Sequence, residues 1–297
     1  MPIPTVGILS PGDMGHAIGA VLQQHGIHVI TTMQDRSART RSLAQIAGIH
    51  DVPNDETLVR EADILLSILP PSQAYHCAER VAVALHTTGS TLLYVDCNAI
   101  APRTALMLDH LISETGSSFV DIGIIGGPPR MGERGPRLYA SGSRATEIAI
   151  LSNYGLDVRV LGEQSGQASG LKMCYASLTK GLTALATEAL VAAQALGLQE
   201  ALSAEFQELP FFQTIQRLVP SMPPKAYRWI GEMEEIARTF SDLGLPPHMP
   251  EGAASLYRFI EGTVLGSEIP EQRHHGQTLE EVISLLATAL AEQTKKP

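Results

Sequence analysis

The chain has 297 residues, of which 44% are hydrophobic and 18% are charged, and its formal net charge is −10. This composition suits a globular protein with room for two domains, and the negative charge disfavours nucleic acid or an anionic membrane as the main partner. The three cysteines, Cys77, Cys97 and Cys174, are scattered and lack metal-ligand spacing, as is typical of reduced thiols. No secretory signal pattern and no apolar run of 18 residues occurs. We therefore expect a cytoplasmic protein with no membrane span and no metal site.

Residues 5–36 have the pattern of one strand–helix–strand unit. An apolar strand begins at Val6, a helical pattern covers 17–25, and a second strand covers 27–32. The tight turn between the first strand and the helix holds the candidates for pyrophosphate binding, which are Ser10, Gly12, Asp13, Met14 and Gly15. A helix that starts from such a turn presents free N–H groups and its positive end to phosphates. Since Ser10 replaces the first glycine of the G-x-G-x-x-G pattern, an ordinary strand-to-helix turn remains the alternative.

The remaining first half alternates apolar strands with helices. The predicted strands are 63–69, 92–96, 119–125, 138–141 and 157–161, and the predicted helices are 40–47, 72–85, 102–115 and 145–154, with Ser72 as an N-cap. Such alternation predicts a parallel sheet covered on both faces. After Gly166 only helical patterns follow, broken by prolines. The predicted fold is an α/β Rossmann-type domain over residues 1–163, followed by an all-α domain for substrate binding and dimerisation over residues 164–297.

The carboxyl ends of the predicted strands hold the next candidates, because ligands of such sheets bind outside these ends. One strand ends at Leu69 and Pro70 and another is followed by Asn98. A third ends at Gly126 and Gly127, where missing side chains let a substrate approach backbone N–H groups. Turn residues chosen only for their propensity are the alternative interpretation.

The helix after Gly166 has two different sides. At about 100° per residue, its broad polar face holds Lys172, Tyr175, Ala176, Thr179, Lys180 and Thr183. The other side carries Leu171, Cys174, Leu178, Leu182 and Leu185, and we expect it to be a packing surface. The polar face predicts the lining of a cleft, with a solvated face as the alternative. A lysine desolvated there can have a depressed pKa and act as an acid or base near neutrality.

These segments together resemble the β-hydroxyacid dehydrogenase superfamily, which includes 3-hydroxyisobutyrate, tartronate-semialdehyde and 6-phosphogluconate dehydrogenases. Five segments carry the resemblance in the family's order: VGILSPGDMG, ADILLSILPP, DCNAIAP, FVDIGIIGG and GQASGLK. It covers most of residues 5–197. The stretches KMCYASLTKG and RWIGEMEEIA indicate a poorly characterised branch with its own C-terminal helical domain. The resemblance implies an NAD(P)-dependent oxidoreductase that transfers hydride between the nicotinamide and an alcohol or carbonyl carbon.

The resemblance also implies residue roles. Lys172 falls on the catalytic lysine, which takes or donates the hydroxyl proton. Gly126 and Gly127 fall on the glycines that anchor the substrate, and Asn98 on a polar position near substrate and nicotinamide.

Two departures from the family pattern concern the substrate. Ile125 replaces the serine before Gly-Gly, and Ala176 replaces an asparagine after the lysine. We therefore expect a less polar and larger small-molecule substrate than a simple hydroxy acid, with replacement contacts from Tyr175, Thr179 or Lys180.

The end of the second strand indicates the cofactor. An acidic side chain there favours NAD, whereas cations and hydroxyls favour the 2′-phosphate of NADP. Asp35-Arg36-Ser37 contains both signals but resembles the family's NADP signature, with Arg36 on the adenine and the phosphate. We expect NADP, with NAD as the alternative.

Other interpretations stay open. An imine reductase-like activity is one, although those relatives generally lack the lysine, so Lys172 favours oxygen chemistry. A dinucleotide-binding regulator without turnover is another. Glu232, Glu234 and Glu235 are expected on a solvated helix face or in contacts between domains, and Trp229 and Tyr257 as core or interface anchors. The resemblance further predicts a homodimer that packs through the helical domain.

Overall fold

The computed structural model describes residues 3–130 and 135–293. The chain divides into two compact units, Met1–Met173 and Cys174–Pro297. Over the described ranges, the first unit contains the whole sheet and the second consists of helices and their connections. The division therefore falls inside a long helix, Gln167–Ala195, rather than at its start.

In the described part of the first unit the strands are β1 (Thr5–Leu9), β2 (His28–Thr32), β3 (His50–Val52), β4 (Ile64–Ser67), β5 (Leu93–Asp96), β6 (Ser118–Ile125), β7 (Arg137–Ser141) and β8 (Asp157–Gly162). The helices are α1 (Asp13–Gln24), α2 (Ala38–Ile46), α3 (Asp55–Glu61), α4 (Ala74–Thr88), α5 (Pro102–Ser113), α6 (Ala145–Ile148), α7 (Gln167–Ala195), α8 (Gln199–Gln207), α9 (Phe212–Ser221), α10 (Ala226–Asp242), α11 (His248–Glu261) and α12 (Leu279–Gln293).

The strands form one sheet in the order β3-β2-β1-β4-β5-β6-β7-β8. The pairs from β3 to β6 are parallel, which confirms the Rossmann-type class. The prediction of a wholly parallel sheet is wrong at one place, because β7 pairs antiparallel with β6. The connection between Ile125 and Arg137 is shorter than the dozen or more residues that a parallel crossover needs.

Three local predictions also differ from the structure. The short pair β3 and α3 was not predicted, because its three-residue strand is mostly polar. Ser72 is not an N-cap, because Pro71–Gln73 forms a 3₁₀ turn and α4 starts after it. The helix predicted at 145–154 is α6 followed by a 3₁₀ stretch, Ala149–Tyr154.

The sheet has an apolar core on each face, because successive strand residues point to opposite sides. Ile8 and Leu66 belong to the core under α1, together with Ile18 and Leu22 of that helix. Leu65 belongs to the opposite core, under α3, α4 and α5. With both faces buried, the free places for a ligand on the sheet are its edges and strand ends.

The second unit is built on the later part of α7 and on α8 to α12. The leucine side of α7, for which packing is predicted, is exposed on the single chain, with Leu178 72% and Leu185 59% accessible. The polar side is the buried one, since Ala176, Lys180 and Thr183 are covered. Over the described ranges, no helix is both long and apolar enough to cross a membrane.

Candidate functional site

The turn after β1 leaves the start of α1 open. Ser10 adopts a left-handed backbone with φ of 58°, and its carbonyl accepts a hydrogen bond from Gly12 N at 2.7 Å. Gly12 is the N-cap residue of α1, and no side chain caps the helix. Its first N–H groups are therefore available to an anion, as a helix that binds phosphate requires.

The two glycines of this turn have separate reasons to be glycine. A Cβ on Gly12 would meet only Ser10 O, at 4.0 Å, so this position faces open space. A Cβ on Gly15 would lie 3.2 Å from Ser10 O and 3.4 Å from Ile8 Cγ2. Gly12 thus lets a ligand approach the backbone, whereas Gly15 lets α1 pack on β1. Met14, in the first turn of α1, packs against the core under this helix.

Arg36 and Arg39 follow the end of β2 in the chain, and an ion pair joins this segment to the start of α1. Asp13 is bound by the guanidinium of Arg39 at the start of α2. Ser37 caps α2, with its hydroxyl oxygen accepting from Thr40 N at 3.2 Å. Burial raises the pKa of the Cys77 thiol on α4, and the positive charges of Arg80 and Arg36 partly offset this rise.

Asn98 joins the ends of β4 and β5. Its amide oxygen accepts from Leu69 N at 2.5 Å, and its amide nitrogen donates to Ser67 Oγ at 3.0 Å and to Asp96 Oδ1 at 2.5 Å. The residue is 2% exposed. The amide oxygen and both amide hydrogens of this side chain are thus bound inside the protein, so it sets the shape of the strand ends. Pro70, next to Leu69, is exposed.

Asp96 is a fully buried carboxyl at the end of β5. Burial raises its pKa to about 7, and the neighbouring Asp121 carboxylate adds to the rise, while the hydrogen bonds from Asn98 oppose it. The two aspartates are register partners on adjacent strands. Neutral pH therefore lies within the titration range of this carboxyl.

The end of β6 combines a buried strand with an open glycine pair. Ile125 is 4% exposed. Gly126 has φ of 129°, and a Cβ there would lie 3.0 Å from Pro136 Cα, so another residue would be strained. Gly127 is exposed, and a Cβ on it would meet nothing within 4 Å. The backbone of Gly127 is therefore accessible to a ligand.

Lys172 lies beside this strand end. Its Nζ donates to Ile124 O at 2.7 Å, two residues before Gly126. The close approach depends on Gly123, where a Cβ would lie 2.5 Å from Ala168 O and 3.1 Å from Lys172 Cβ. The first unit alone thus brings an ammonium group to the carboxyl end of its sheet, next to an exposed glycine.

The other predicted substrate residues belong to the second unit. Tyr175 is 45% exposed, and Thr179 donates its hydroxyl to Tyr175 O at 3.2 Å on its own helix. Lys180 is 8% exposed and bound to Glu232 Oε2 at 2.5 Å, so its charge is balanced inside this unit. Trp229 covers the same ammonium, 5.2 Å from the ring centre.

The solvated face expected for the glutamates of α10 is wrong for two of them. Glu232 and Glu235 are 8% and 5% exposed, because one binds Lys180 and the other binds Arg238 beside it on the helix. Tyr257 is a core anchor as expected, fully buried with its hydroxyl donating to Lys180 O at 2.6 Å. Across residues 3–130 and 135–293, no group of three potential metal ligands comes together.

Sequence reasoning missed the partners that hold these residues in place. Arg39 was not recognised as the partner of Asp13, and Asp121 was not recognised as a contact of α7. A signal for Asp121 was available, because a helix that begins Gly-Gln-Ala-Ser-Gly has no acidic residue of its own in its first turn.

A Rossmann-type sheet with an open glycine turn after β1 defines the class of this chain, a dinucleotide-binding domain joined to a helical domain. The family of the first domain is shown by its sequence. Residues 5–152 belong to the family described as the NAD binding domain of 6-phosphogluconate dehydrogenase. Residues 193–260 match a family described as a domain of unknown function.

Two similar proteins cover most of this chain. An uncharacterized 28.5 kDa protein of Methanothermus fervidus is 27% identical over 86% of this chain and 98% of its own. A solved protein of unknown function, described as similar in structure to 3-hydroxyacid dehydrogenases, is 29% identical with a TM-score of 0.63, covering 86% of this chain and 96% of that one.

Two named enzymes share the fold. The Mycobacterium tuberculosis 3-hydroxyisobutyrate dehydrogenase has a TM-score of 0.69 at 18% identity, covering 97% of this chain and 99% of its own. An imine reductase of Streptomyces aurantiacus has a TM-score of 0.52 at 18% identity, covering 98% and 100%. The family and these structural neighbours are oxidoreductases.

Proposed function

We propose that this protein is an NADP-dependent oxidoreductase that moves hydride between the nicotinamide and an alcohol or carbonyl carbon, with Lys172 as the acid or base. The observation that carries the proposal is the position of Lys172 Nζ, bound to Ile124 O beside the open Gly126–Gly127 backbone. A hydroxy acid or a bulkier, less polar alcohol is the proposed substrate class.

The residues of the first unit fit a dinucleotide. Gly12 faces open space and the first turn of α1 has no side-chain cap, so backbone N–H groups are available for a pyrophosphate. When bound, the nicotinamide supplies the hydride acceptor or donor. Lys172 as a neutral amine takes the hydroxyl proton while hydride leaves the same carbon, and as an ammonium it returns that proton to the carbonyl oxygen during reduction.

Arginines support NADP as the cofactor. Arg36 and Arg39 follow the end of β2, and Arg41 donates from Nε to Arg36 O at 3.2 Å. Asp35, the acidic residue that would favour NAD, adopts a left-handed backbone with φ of 57°. Guanidinium groups match a phosphate better than they match ribose hydroxyls.

The cofactor proposal is tested by thermal unfolding with each dinucleotide. NADPH should raise the unfolding temperature more than NADH at equal concentration, because a ligand stabilises the state that it binds. Arg36→Ala should reduce the difference, whereas Arg60→Ala on α3 serves as a matched loss of one surface arginine. Equal protection by both dinucleotides would reject the preference, and no protection would reject the site.

The chemical role of Lys172 is tested by absorbance at 340 nm with a panel of hydroxy acids, aldehydes and ketones. Lys172→Ala should lower turnover by about 10²–10⁴-fold, the usual contribution of a positioned acid or base. Its affinity for NADPH should stay close to that of the parent. Lys225→Ala is the control for loss of one lysine. Undiminished turnover in Lys172→Ala would remove this residue from the mechanism, and reduction of imines alone would favour the imine reductase-like alternative.

The exposed side of α7 supports a homodimer. Leu178 and Leu185 lie on one face of this helix and are 72% and 59% exposed, and Leu196, just after its end, is 73% exposed. A second copy of the chain is the proposed partner for this apolar stripe. Light scattering at micromolar concentration should give a dimer that Leu178→Glu disrupts, and a monomeric parent protein would refute the assignment.

The proposed location is the cytoplasm. Cys77, Cys97 and Cys174 are all free thiols, two of them buried and one exposed, which fits a reducing compartment.

A further inference from the structure

Asp121 on β6 caps the start of α7. Its Oδ2 accepts from Gly166 N at 3.0 Å and from Ser169 N at 2.9 Å, and its Oδ1 accepts from Ser169 Oγ at 2.6 Å. Asp121 is fully buried. Gly166 is the N-cap residue of this helix and Ser169 is its third residue. A carboxylate from another element therefore accepts the hydrogen bonds that an N-cap side chain usually accepts.

Ser141 completes the cap from the neighbouring strand β7. Its hydroxyl donates to Asp121 Oδ2 at 3.1 Å and accepts from Ala168 N at 2.9 Å. Three backbone N–H groups of the first turn are thereby bound to two side chains of the sheet. A negative charge at this end of a helix also interacts favourably with the helix dipole.

The side chain of Lys172 binds the same strand as the cap, β6, through Ile124 O. Asp121 and Ile124 are three residues apart on β6, and their partners Ser169 and Lys172 are three residues apart on α7. The two attachments thus follow the same order along both elements. Gly123 lies between them, and its missing side chain lets the helix backbone approach the strand.

This arrangement fixes Lys172 through the backbone of α7. The side chain of lysine has four rotatable bonds, so its ammonium reaches a defined place only if its own Cα is held. The cap holds that Cα one helical turn after Ser169. We propose that Asp121 is a positioning residue, whose carboxylate fixes the first turn of α7 and so places Lys172 Nζ at the end of β6. Its consequence for turnover rests on the proposed function.

Two variants of Asp121 test this role. Asp121→Ala removes the three bonds that Gly166 and Ser169 make to the carboxylate, and leaves the bond from Ala168 N to Ser141 Oγ. Asp121→Asn keeps one oxygen for the backbone N–H groups of Gly166 and Ser169, and its amide can donate to Ser169 Oγ. Asn54→Ala is the matched control, because Asn54 caps α3 in the same unit by accepting from Thr57 N at 2.9 Å.

The first measurement does not depend on any activity. Limited acetylation followed by peptide mass spectrometry reports the reactivity of Lys172 relative to Lys225. Asp121→Ala should raise the relative labelling of Lys172 several-fold and speed amide hydrogen exchange over residues 166–172, because the helix start is released. Asp121→Asn should lie between this variant and the parent, and Asn54→Ala should match the parent.

The second measurement is turnover with NADPH. Asp121→Ala should lower kcat by about tenfold to a hundredfold, as misplacement of a catalytic group does, with KM for NADPH within about twofold of the parent. Asp121→Asn should restore part of kcat, and Asn54→Ala should leave it unchanged. If Asp121→Ala does not fold, Asp121→Asn carries both measurements.

The outcomes separate the two proposals. If the Asp121 variants change the labelling of Lys172 as expected but the protein turns over no substrate, the proposed function is rejected and the positioning role is kept. If both Asp121 variants show the same Lys172 labelling and the same kcat as Asn54→Ala, the positioning role is overturned, whatever the function of the protein.

Discussion

Replacing Ser10 by glycine should stabilise the first unit, because Ser10 is held in a left-handed backbone with φ of 58°. A residue with a Cβ loses roughly 1–2 kcal/mol in this conformation. Glycine removes that strain, but it also raises the conformational entropy of the unfolded chain, which lowers the free energy of unfolding by about 0.5–1 kcal/mol. In the described structure the Ser10 hydroxyl makes no hydrogen bond, and its carbonyl keeps the bond from Gly12 N in the variant. The net gain expected is therefore between about 0 and 1.5 kcal/mol, with a midpoint of about 0.75 kcal/mol.

The gain should appear as a rise in unfolding temperature. For a unit of this size, about 1 kcal/mol corresponds to roughly 2–4 °C in a calorimetric scan. Ser10→Ala is the matched control, since it removes the hydroxyl and keeps the strained Cβ, and it should gain nothing. Asp35→Gly offers a second comparison, because Asp35 is also a non-glycine residue with positive φ, 57°. A Ser10→Gly variant no more stable than Ser10→Ala would refute the strain argument.

Two further predictions concern buried charges. The pKa of Asp96 is raised from 3.8 to about 7 in the folded state, so the folded protein holds this proton where the unfolded chain has lost it. Its contribution to the free energy of unfolding is therefore complete below about pH 4 and is lost as pH rises through 7, with a slope of at most about 1.4 kcal/mol per pH unit. Urea unfolding from pH 4 to 8 should show this slope in the parent and lose it in Asp96→Asn; an unchanged slope would contradict the assignment. Glu232→Ala should destabilise the second unit by about 3–5 kcal/mol, because Lys180 loses the carboxylate that balances it, whereas the double variant Lys180→Met/Glu232→Leu should recover most of this loss. Equal losses in the single and double variants would contradict it.

The regular part of the fold could be predicted because its signal is local. The apolar runs of β1, β4, β5 and β6 and the helices between them follow from periodicity within short windows, and the family resemblance orders them. The reversed direction of β7 was missed although the length of the connection after Ile125 carried the information. The strand β3 was missed because His50–Val52 contains a single buried residue.

The site was less predictable because its side chains depend on distant partners. Asn98 near the substrate stays a prediction, and no local pattern shows that its side chain bonds to Leu69 and Ser67, 29 and 31 positions earlier in the chain. Lys180 was predicted as a substrate contact, and its pairing with Glu232 joins residues 52 positions apart. Periodicity also could not say which side of α7 is covered, because the leucine side is apolar enough to pack yet stays exposed. The glycines and Lys172 lie at strand and helix ends that the backbone itself defines, and their binding and catalytic roles stay predictions.

The place where the two units divide decides how the first could be produced alone. A fragment ending at Gly162, where β8 stops, would carry the entire sheet but would leave Asp121 and Ser141 in the interior without the N–H groups that they bind. Burying a carboxylate without its donors is costly, so such a fragment should unfold or expose this edge. A fragment ending at Met173 keeps those donors and Lys172. The first two turns of α7 are therefore structural parts of the nucleotide-binding domain. A fragment boundary chosen at the end of the sheet, at Gly162, would separate them from the unit that they complete.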